Sequence, residues 1–257
     1  MTGIKKILLV TKLQGQDNSI PLLDKIASIK KLGLEEVIFI HTAPMGRWAD
    51  TLHDLHIKVK TVEVKKFFPA TILRIARDES VSLIAVNLDR NIQWASGKSL
   101  MRKLINSSTY PLLFIIQESK EPSVADDREL FSHVIYATDW TAASEKALQL
   151  LLHFNKILGE LEIVNVINRK LTVKDMRELK EKMARTRKKC LDAEIDAEAH
   201  VYAGNTPVEI LTAAKDYKGT IIFVGGRSKK NPIKRILAGS STCKIAENAP
   251  VPVFVIP

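Results

Sequence analysis

His133-Val-Ile-Tyr-Ala-Thr-Asp139 is a short apolar run that ends on a hydroxyl and a carboxylate. Four apolar side chains in succession read as a strand buried on both faces. Near the head of the chain, Lys6-Ile-Leu-Leu-Val-Thr-Lys12 has the same form. Each run leads into a helical pattern. After the later one, Ala143, Ala147, Leu151 and Phe154, with Leu148 and Leu152, recur at helical spacing behind Thr141, a residue type favoured as an N-cap. After the earlier one, a helix is expected from about Ser19 to Lys31, stopping at Gly33.

The likeness between the two segments continues outward. Val37-Ile-Phe-Ile-His41 corresponds to Leu161-Glu-Ile-Val-Asn165-Val166, a second strand in each case. Phe68-Pro-Ala-Thr-Ile-Leu-Arg-Ile-Ala76 matches Thr206-Pro-Val-Glu-Ile-Leu-Thr-Ala-Ala214. The latter reads as a capping box, with Thr206 as cap, Pro207 at the first helical position and Glu209 reaching back. Each helix feeds a strand, Leu83–Asn87 or Ile221–Gly225, and each half closes on a Pro-containing apolar strand, Tyr110–Ile116 or Val251–Pro257.

The order strand, helix, strand, insert, strand, helix, strand, helix, strand therefore occurs twice. Strands alternating with helices imply parallel pairing, so the expected fold is α/β, with two tandem open, doubly wound parallel-sheet domains. The polar stretch Ser119–Glu129 reads as a linker between a first domain over 1–118 and a second over 130–257. The halves differ most in the middle. The second carries a charged helix from about Thr172 to Leu191 with Met176, Leu179, Met183 and Cys190 on one stripe, where the first has only Pro44–His56.

Composition narrows the function classes. The chain has 257 residues, 46% hydrophobic and 26% charged, which excludes wholesale disorder. Apolar stretches such as Ile7–Val10 and Leu112–Ile116 fall far short of the roughly 20 residues of a spanning helix. Met1-Thr-Gly-Ile-Lys-Lys6 has no long apolar segment, and the two cysteines, Cys190 and Cys243, make no disulfide framework. A reducing cytoplasm is the expected home. The net charge of +10 would suit nucleic acid, an anionic surface or an anionic ligand. In Arg169–Lys189 the positive charge is diluted by Asp175, Glu178 and Glu181, as on a solvated helix face. Arg227, Lys229, Lys230, Lys234 and Arg235 are undiluted. An anionic ligand explains that cluster locally; nucleic acid would want a stripe with exposed aromatics or a recognition helix.

In an open parallel sheet, ligands bind at the carboxyl ends of the strands where the winding reverses. In the second half those positions hold Thr138-Asp139 and Gly225-Gly226, with Ala238-Gly239-Ser240-Ser241-Thr242 opening the last helix. Glycine admits close backbone approach, and a helix N-terminus offers free N–H groups and a positive dipole end. Such a site suits phosphate, with Asp139 placed to accept hydrogen bonds from a base or sugar. The plainer reading makes Asp139 a turn or cap residue, Gly225-Gly226 a tight strand exit and Ser240–Thr242 a cap cluster. His53-Asp-Leu-His56, with Asp50 one turn earlier, has helical spacing for a metal pair but no third ligand of zinc-site spacing, so a solvated face is preferred and no metal site is expected. Trp48, Trp94 and Trp140 read as packing residues, Trp140 also as shading the pocket mouth, and Cys190 as a buried thiol. No Ser/His/Asp or Cys/His constellation is evident, and no general base stands beside the phosphate loop.

These residues also carry a family resemblance. Val134-Ile-Tyr-Ala-Thr-Asp139, Gly204-Asn-Thr-Pro-Val-Glu-Ile-Leu211 and Gly226-Arg-Ser-Lys-Lys-Asn-Pro-Ile-Lys-Arg-Ile-Leu-Ala-Gly239-Ser240, followed by Pro250-Val-Pro-Val-Phe-Val255, resemble a universal stress protein domain. The resemblance covers the second half and, more weakly, the first. Nucleotide-binding members carry Gly, two residues, Gly, nine residues, then Gly-Ser or Gly-Thr. Counted back from Gly239, Gly226 takes the first position and Lys229 the second; a shift of one residue would let Gly225 lead. The resemblance implies ATP or AMP in the second half, with an accompanying Mg ion left open. The base would lie near Ala137, Thr138, Asp139 and Val166, and the ribose and phosphates near Gly225, Gly226, Lys229, Gly239, Ser240, Ser241 and Thr242. In the first half Lys12 stands where Asp139 stands, Asn87-Leu-Asp-Arg90 replaces Gly225-Gly-Arg-Ser228, and Gly97-Lys98-Ser99 is a displaced counterpart of Gly239-Ser240. That half reads as a structural partner that no longer binds nucleotide.

The expected function is a stress-response, nucleotide-responsive binding module, with at most weak ATPase activity implied by the resemblance. The alternatives are an adenylate-transferring or ATP-hydrolysing enzyme on the same scaffold, and a partner-binding protein without nucleotide. Because the family pairs domains through their last strands, the resemblance also implies an intrachain pseudo-dimer and leaves a homodimer open, with no membrane partner and no nucleic acid.

Overall fold

A computed structural model of the protein describes residues 3–11, 20–42, 52–89, 94–117, 128–226 and 241–257. The chain divides into two units, Met1–Leu130 and Phe131–Pro257. The first contains β1 (Lys6–Thr11), α1 (Ile20–Lys30), β2 (Glu36–His41), β3 (Lys58–Glu63), α2 (Pro69–Asp78), β4 (Leu83–Asp89), α3 (Trp94–Ser107) and β5 (Leu112–Gln117). Strands pair in the order 3-2-1-4-5, and each of the four pairings is parallel. The winding therefore reverses between β1 and β4. Leu8, Val37, Ile38, Phe39, Ile40, Val86 and Phe114 are fully buried, as two-sided helix cover of a parallel sheet demands.

The second unit repeats this plan with β6 (His133–Ala137), α4 (Ala142–His153), β7 (Glu160–Ile167), α5 (Val173–Leu191), β8 (Asp196–Ala203), α6 (Thr206–Asp216), β9 (Ile221–Gly225), α7 (Ser241–Asn248) and β10 (Val253–Ile256). Its strand order is 10-9-6-7-8, again parallel at every pairing, so the winding reverses between β6 and β9. The core is aromatic where β9 and β10 meet: Phe223 and Phe254 stack at 4.7 Å between ring centroids. The α/β doubly wound architecture expected from the repeat is thus present in both units.

The structure adjusts three local expectations. Asn205, not Thr206, is the N-cap of α6, Thr206 already being helical; the Glu209 carboxylate lies over Gly204 rather than closing a capping box. The box occurs instead on α5, where Thr172 accepts from the Asp175 amide at 3.1 Å and Asp175 accepts from the Thr172 amide at 2.9 Å. On the α5 stripe Leu179, Met183 and Cys190 are buried, but Met176, one turn from the open N-terminal end, is exposed. The inserted segment of the first half shows one helical turn at residues 52–54; Trp48 and Asp50 lie outside the described residues. Gly97, Lys98 and Ser99 sit inside α3 rather than ahead of it.

Candidate functional site

The carboxyl ends of β6 and β9 are adjacent strand ends at the reversal point. One step beyond the Ala137–Val224 partner pair stand Thr138 and Gly225, then Asp139 and Gly226. Thr138 is buried and tied down on three sides. Its amide donates to the Val164 carbonyl at 2.9 Å, its carbonyl accepts from Asn165 Nδ2 at 2.7 Å, and its hydroxyl accepts from the Trp140 amide at 3.2 Å. The buried Tyr136 hydroxyl donates to the Ser144 carbonyl at 2.7 Å and lies 3.1 Å from the Thr138 hydroxyl. Burial raises its phenol above the ordinary range. Sequence reasoning does not single out Asn165 and Tyr136 as site residues; the one available signal is a polar Asn inside an apolar strand.

Asp139 is exposed, and its two carboxylate oxygens differ. Oδ1 accepts from the Thr141 amide at 3.1 Å, the Thr141 hydroxyl at 2.6 Å and the Ser144 hydroxyl at 3.0 Å. This is an Asx turn that sets Thr141 as the N-cap of α4. Oδ2 makes no hydrogen bond among the described residues. Trp140, between them, has φ of +54°, the left-handed region that a non-glycine residue adopts only under constraint. Its indole donates to the Thr186 hydroxyl at 3.1 Å, and Lys182 Nζ stands 5.4 Å from a ring centroid. Trp140 therefore packs against α5, and the strained turn aims Asp139 outward.

Both glycines have packing reasons of their own. A Cβ at Gly225 would stand 2.7 Å from the Ser144 nitrogen, in the first turn of α4, and one at Gly226 would stand 2.8 Å from the Ile256 carbonyl oxygen. The Gly226 amide donates to that same carbonyl at 2.5 Å. At the start of α7, the buried Thr242 hydroxyl donates to the Gly225 carbonyl at 3.0 Å, whereas Ser241 is exposed. Ala137 is buried beneath the crevice and Val166 half-buried at the end of β7. The structure thus brings Ala137, Thr138, Asp139, Gly225, Gly226 and Thr242 together. Lys229, Gly239 and Ser240, with the basic cluster Arg227, Lys230, Lys234 and Arg235, lie outside the described residues.

The corresponding place in the first unit is chemically different. Thr11 and Asn87 are direct partners across β1 and β4, where the second unit has Thr138 and Gly225. Asn87 Nδ2 donates to the Thr11 hydroxyl at 3.3 Å, so a side-chain bridge spans the strand ends.

Residues 130–257 match the profile of the universal stress protein family. The chain belongs to that family through its second half. Among solved structures, a universal stress protein from Archaeoglobus fulgidus superposes with a TM-score of 0.69 at 20% identity, covering 97% of this chain and 95% of its own. A putative universal stress protein from Pseudomonas aeruginosa superposes with a TM-score of 0.66 at 15% identity, over 98% and 93%. Both likenesses span the full length, so the tandem two-domain plan is shared. A further universal stress protein from Archaeoglobus fulgidus, solved with dAMP, is 18% identical with a TM-score of 0.41, covering 50% of this chain and 99% of its own. No curated protein matches the chain. Among the described residues, no helix is long and apolar enough to cross a membrane.

Proposed function

We infer that the second universal stress protein domain binds an adenine nucleotide, ATP or AMP, and acts as a nucleotide-responsive regulatory module rather than as a committed enzyme. The observation that carries this reading is the Asp139 carboxylate at the reversal point. One oxygen is fixed by its own turn and the other makes no hydrogen bond among the described residues, beside backbone held close by Gly225 and Gly226. A fixed acceptor just past the carboxyl end of a strand suits a ribose hydroxyl or an adenine amino group. The phosphates would extend toward the start of α7 and the basic stretch of sequence before it, whose lysines and arginines would supply the counter-charge. In the first domain the Thr11–Asn87 bridge takes the place of the open crevice, which supports a structural, non-binding role.

Titration calorimetry of the full chain with ATP and with AMP tests the reading, and Asp139→Asn is its informative variant. Asn keeps an oxygen at Oδ1 for the turn but replaces Oδ2 with an amide donor. The expected result is one nucleotide per chain for wild type and at least tenfold weaker binding for Asp139→Asn. No binding of either nucleotide would favour the partner-binding alternative, and turnover of a defined second substrate the enzyme alternative. Pairing of the halves through β5 and β10 belongs to the same proposal. Disulfide trapping between cysteines introduced into those strands checks it, with cross-linking within one chain expected.

A further inference from the structure

Along β7 and β8 of the second sheet lies a cluster that the nucleotide site does not use. Alternation along β6, β7 and β8 puts His133, Glu160, Glu162, Glu198 and His200 on one face. Glu162 and Glu198 are direct cross-strand partners. Like charges directly opposite are destabilising, and the Glu162 side chain is only 8% exposed. Two imidazoles already face the buried partner, His200 Nε2 at 2.6 Å and His133 Nε2 at 2.9 Å, and a bound cation would offset the remaining repulsion.

We propose that the cluster is a binding site for a divalent transition-metal ion of the zinc class, with Glu162, Glu198 and His200 as protein ligands. Three atoms converge. His200 Nε2 lies 2.6 Å from Glu162 Oε2 and 3.9 Å from Glu198 Oε2, and the three lie within 4.8 Å of one another. A tetrahedral ion with bonds of about 2.0–2.2 Å sets its ligand atoms roughly 3.3 Å apart, so small side-chain movements suffice. Glu198 is exposed, which leaves the fourth position to water. The imidazole selects a zinc-class ion over magnesium or calcium.

The surrounding groups have the arrangement such a site needs. The outer nitrogen of a ligating histidine is normally held by an oxygen, and here His200 Nδ1 lies 3.0 Å from the Tyr217 hydroxyl, with the two rings stacked at 4.5 Å. On binding, His200 carries its proton on Nδ1 and donates it to the Tyr217 oxygen, leaving Nε2 for the ion. The other oxygen of Glu162 is fixed from the far side: His133 Nε2 donates to Oε1 at 2.9 Å, while His133 Nδ1 faces Glu160 at 3.3 Å. Because its two ring nitrogens face opposite carboxylates, His133 orients Glu162 rather than joining the ligand set. The one sequence signal is Glu162 itself, a carboxylate inside the apolar run Leu161–Val164.

The test uses the full chain without a histidine tag, titrated with Co²⁺ by visible absorption and with Zn²⁺ by calorimetry. One ion per chain is expected. His200→Ala and the exposed Glu198→Gln should each weaken binding at least tenfold, and Tyr217→Phe about tenfold through loss of the orienting oxygen. Should His200→Ala fail to fold by circular dichroism, Glu198→Gln and Tyr217→Phe decide alone. The double variant His53→Ala/His56→Ala should bind as wild type. No binding of either ion, binding undiminished by Glu198→Gln and Tyr217→Phe, or binding abolished by the His53/His56 variant would overturn the proposal.

Discussion

Asp139 is held by its own turn through one oxygen and faces outward through the other, so its substitutions separate stability from binding. Asp139→Ala removes three hydrogen bonds from the α4 entry and should cost about 1 kcal/mol in urea unfolding, while Asp139→Asn should cost less. Gly225→Ala is expected to be worse than Asp139→Ala. Its Cβ meets backbone of α4 rather than a side chain that can swing away, and such overpacking costs on the order of 1–3 kcal/mol. At this scale the sequence was only partly legible. A Thr-Asp strand end and a glycine pair stand out in the sequence, and the structure brings both to the adjacent ends of β6 and β9. That Gly225 also seats Ser144, and Gly226 also meets Ile256, depends on neighbours distant in sequence, and no local pattern encodes them. Likewise, the two unlike oxygens of Asp139 become visible only once the turn closes.

At the scale of elements, α5 is the part most readable in advance and the part with the clearest acid sensitivity. Leu179, Met183, Thr186 and Cys190 recur at spacings of four, three and four residues, and all are buried. Exposed positions beside them carry the ion pair Arg185–Glu181 and, reaching to the C-cap, Lys188–Asp192, as on a solvated face. Hydrogen bonds from the Thr172 amide, then from the Arg169 guanidinium and the Thr172 hydroxyl, hold the Asp175 carboxyl at about 2 against an ordinary 3.8. A depressed carboxyl stabilises the helix above the ordinary value and loses that contribution as pH falls from about 4 to about 2. Backbone amide signals of residues 172–176 should therefore broaden or exchange over that window, and Asp175→Asn should remove the dependence. Thr172→Ala should cost about 1 kcal/mol. Burial pushes the Cys190 thiol up to about 11, so a disulfide reagent at about pH 8 should leave it unmodified until the protein unfolds. The cap of α6 was less legible, because Asn205 and Thr206 are both good caps and only the backbone decides between them.

Across the whole molecule, one architecture occurs twice and its reversal points differ in chemistry, most plainly where Thr11–Asn87 stands in place of Thr138–Gly225. Short apolar runs and helical patterns repeat in the same order in both halves, which is why the doubly wound fold could be read from the chain. The difference between the halves was also legible, as Asn87 in place of glycine, but its physical meaning is the bridge to Thr11, a contact between residues 76 apart. Nucleotide should accordingly bind in one domain. The most direct measurement is a titration of the isotopically labelled full chain with ATP, followed by amide NMR. The account predicts saturable shifts at Thr138–Thr141 and Gly225–Gly226, with Thr11 and Asn87 unmoved; no shift at Asp139 and Gly226, or shifts centred on Thr11 and Asn87, would contradict it.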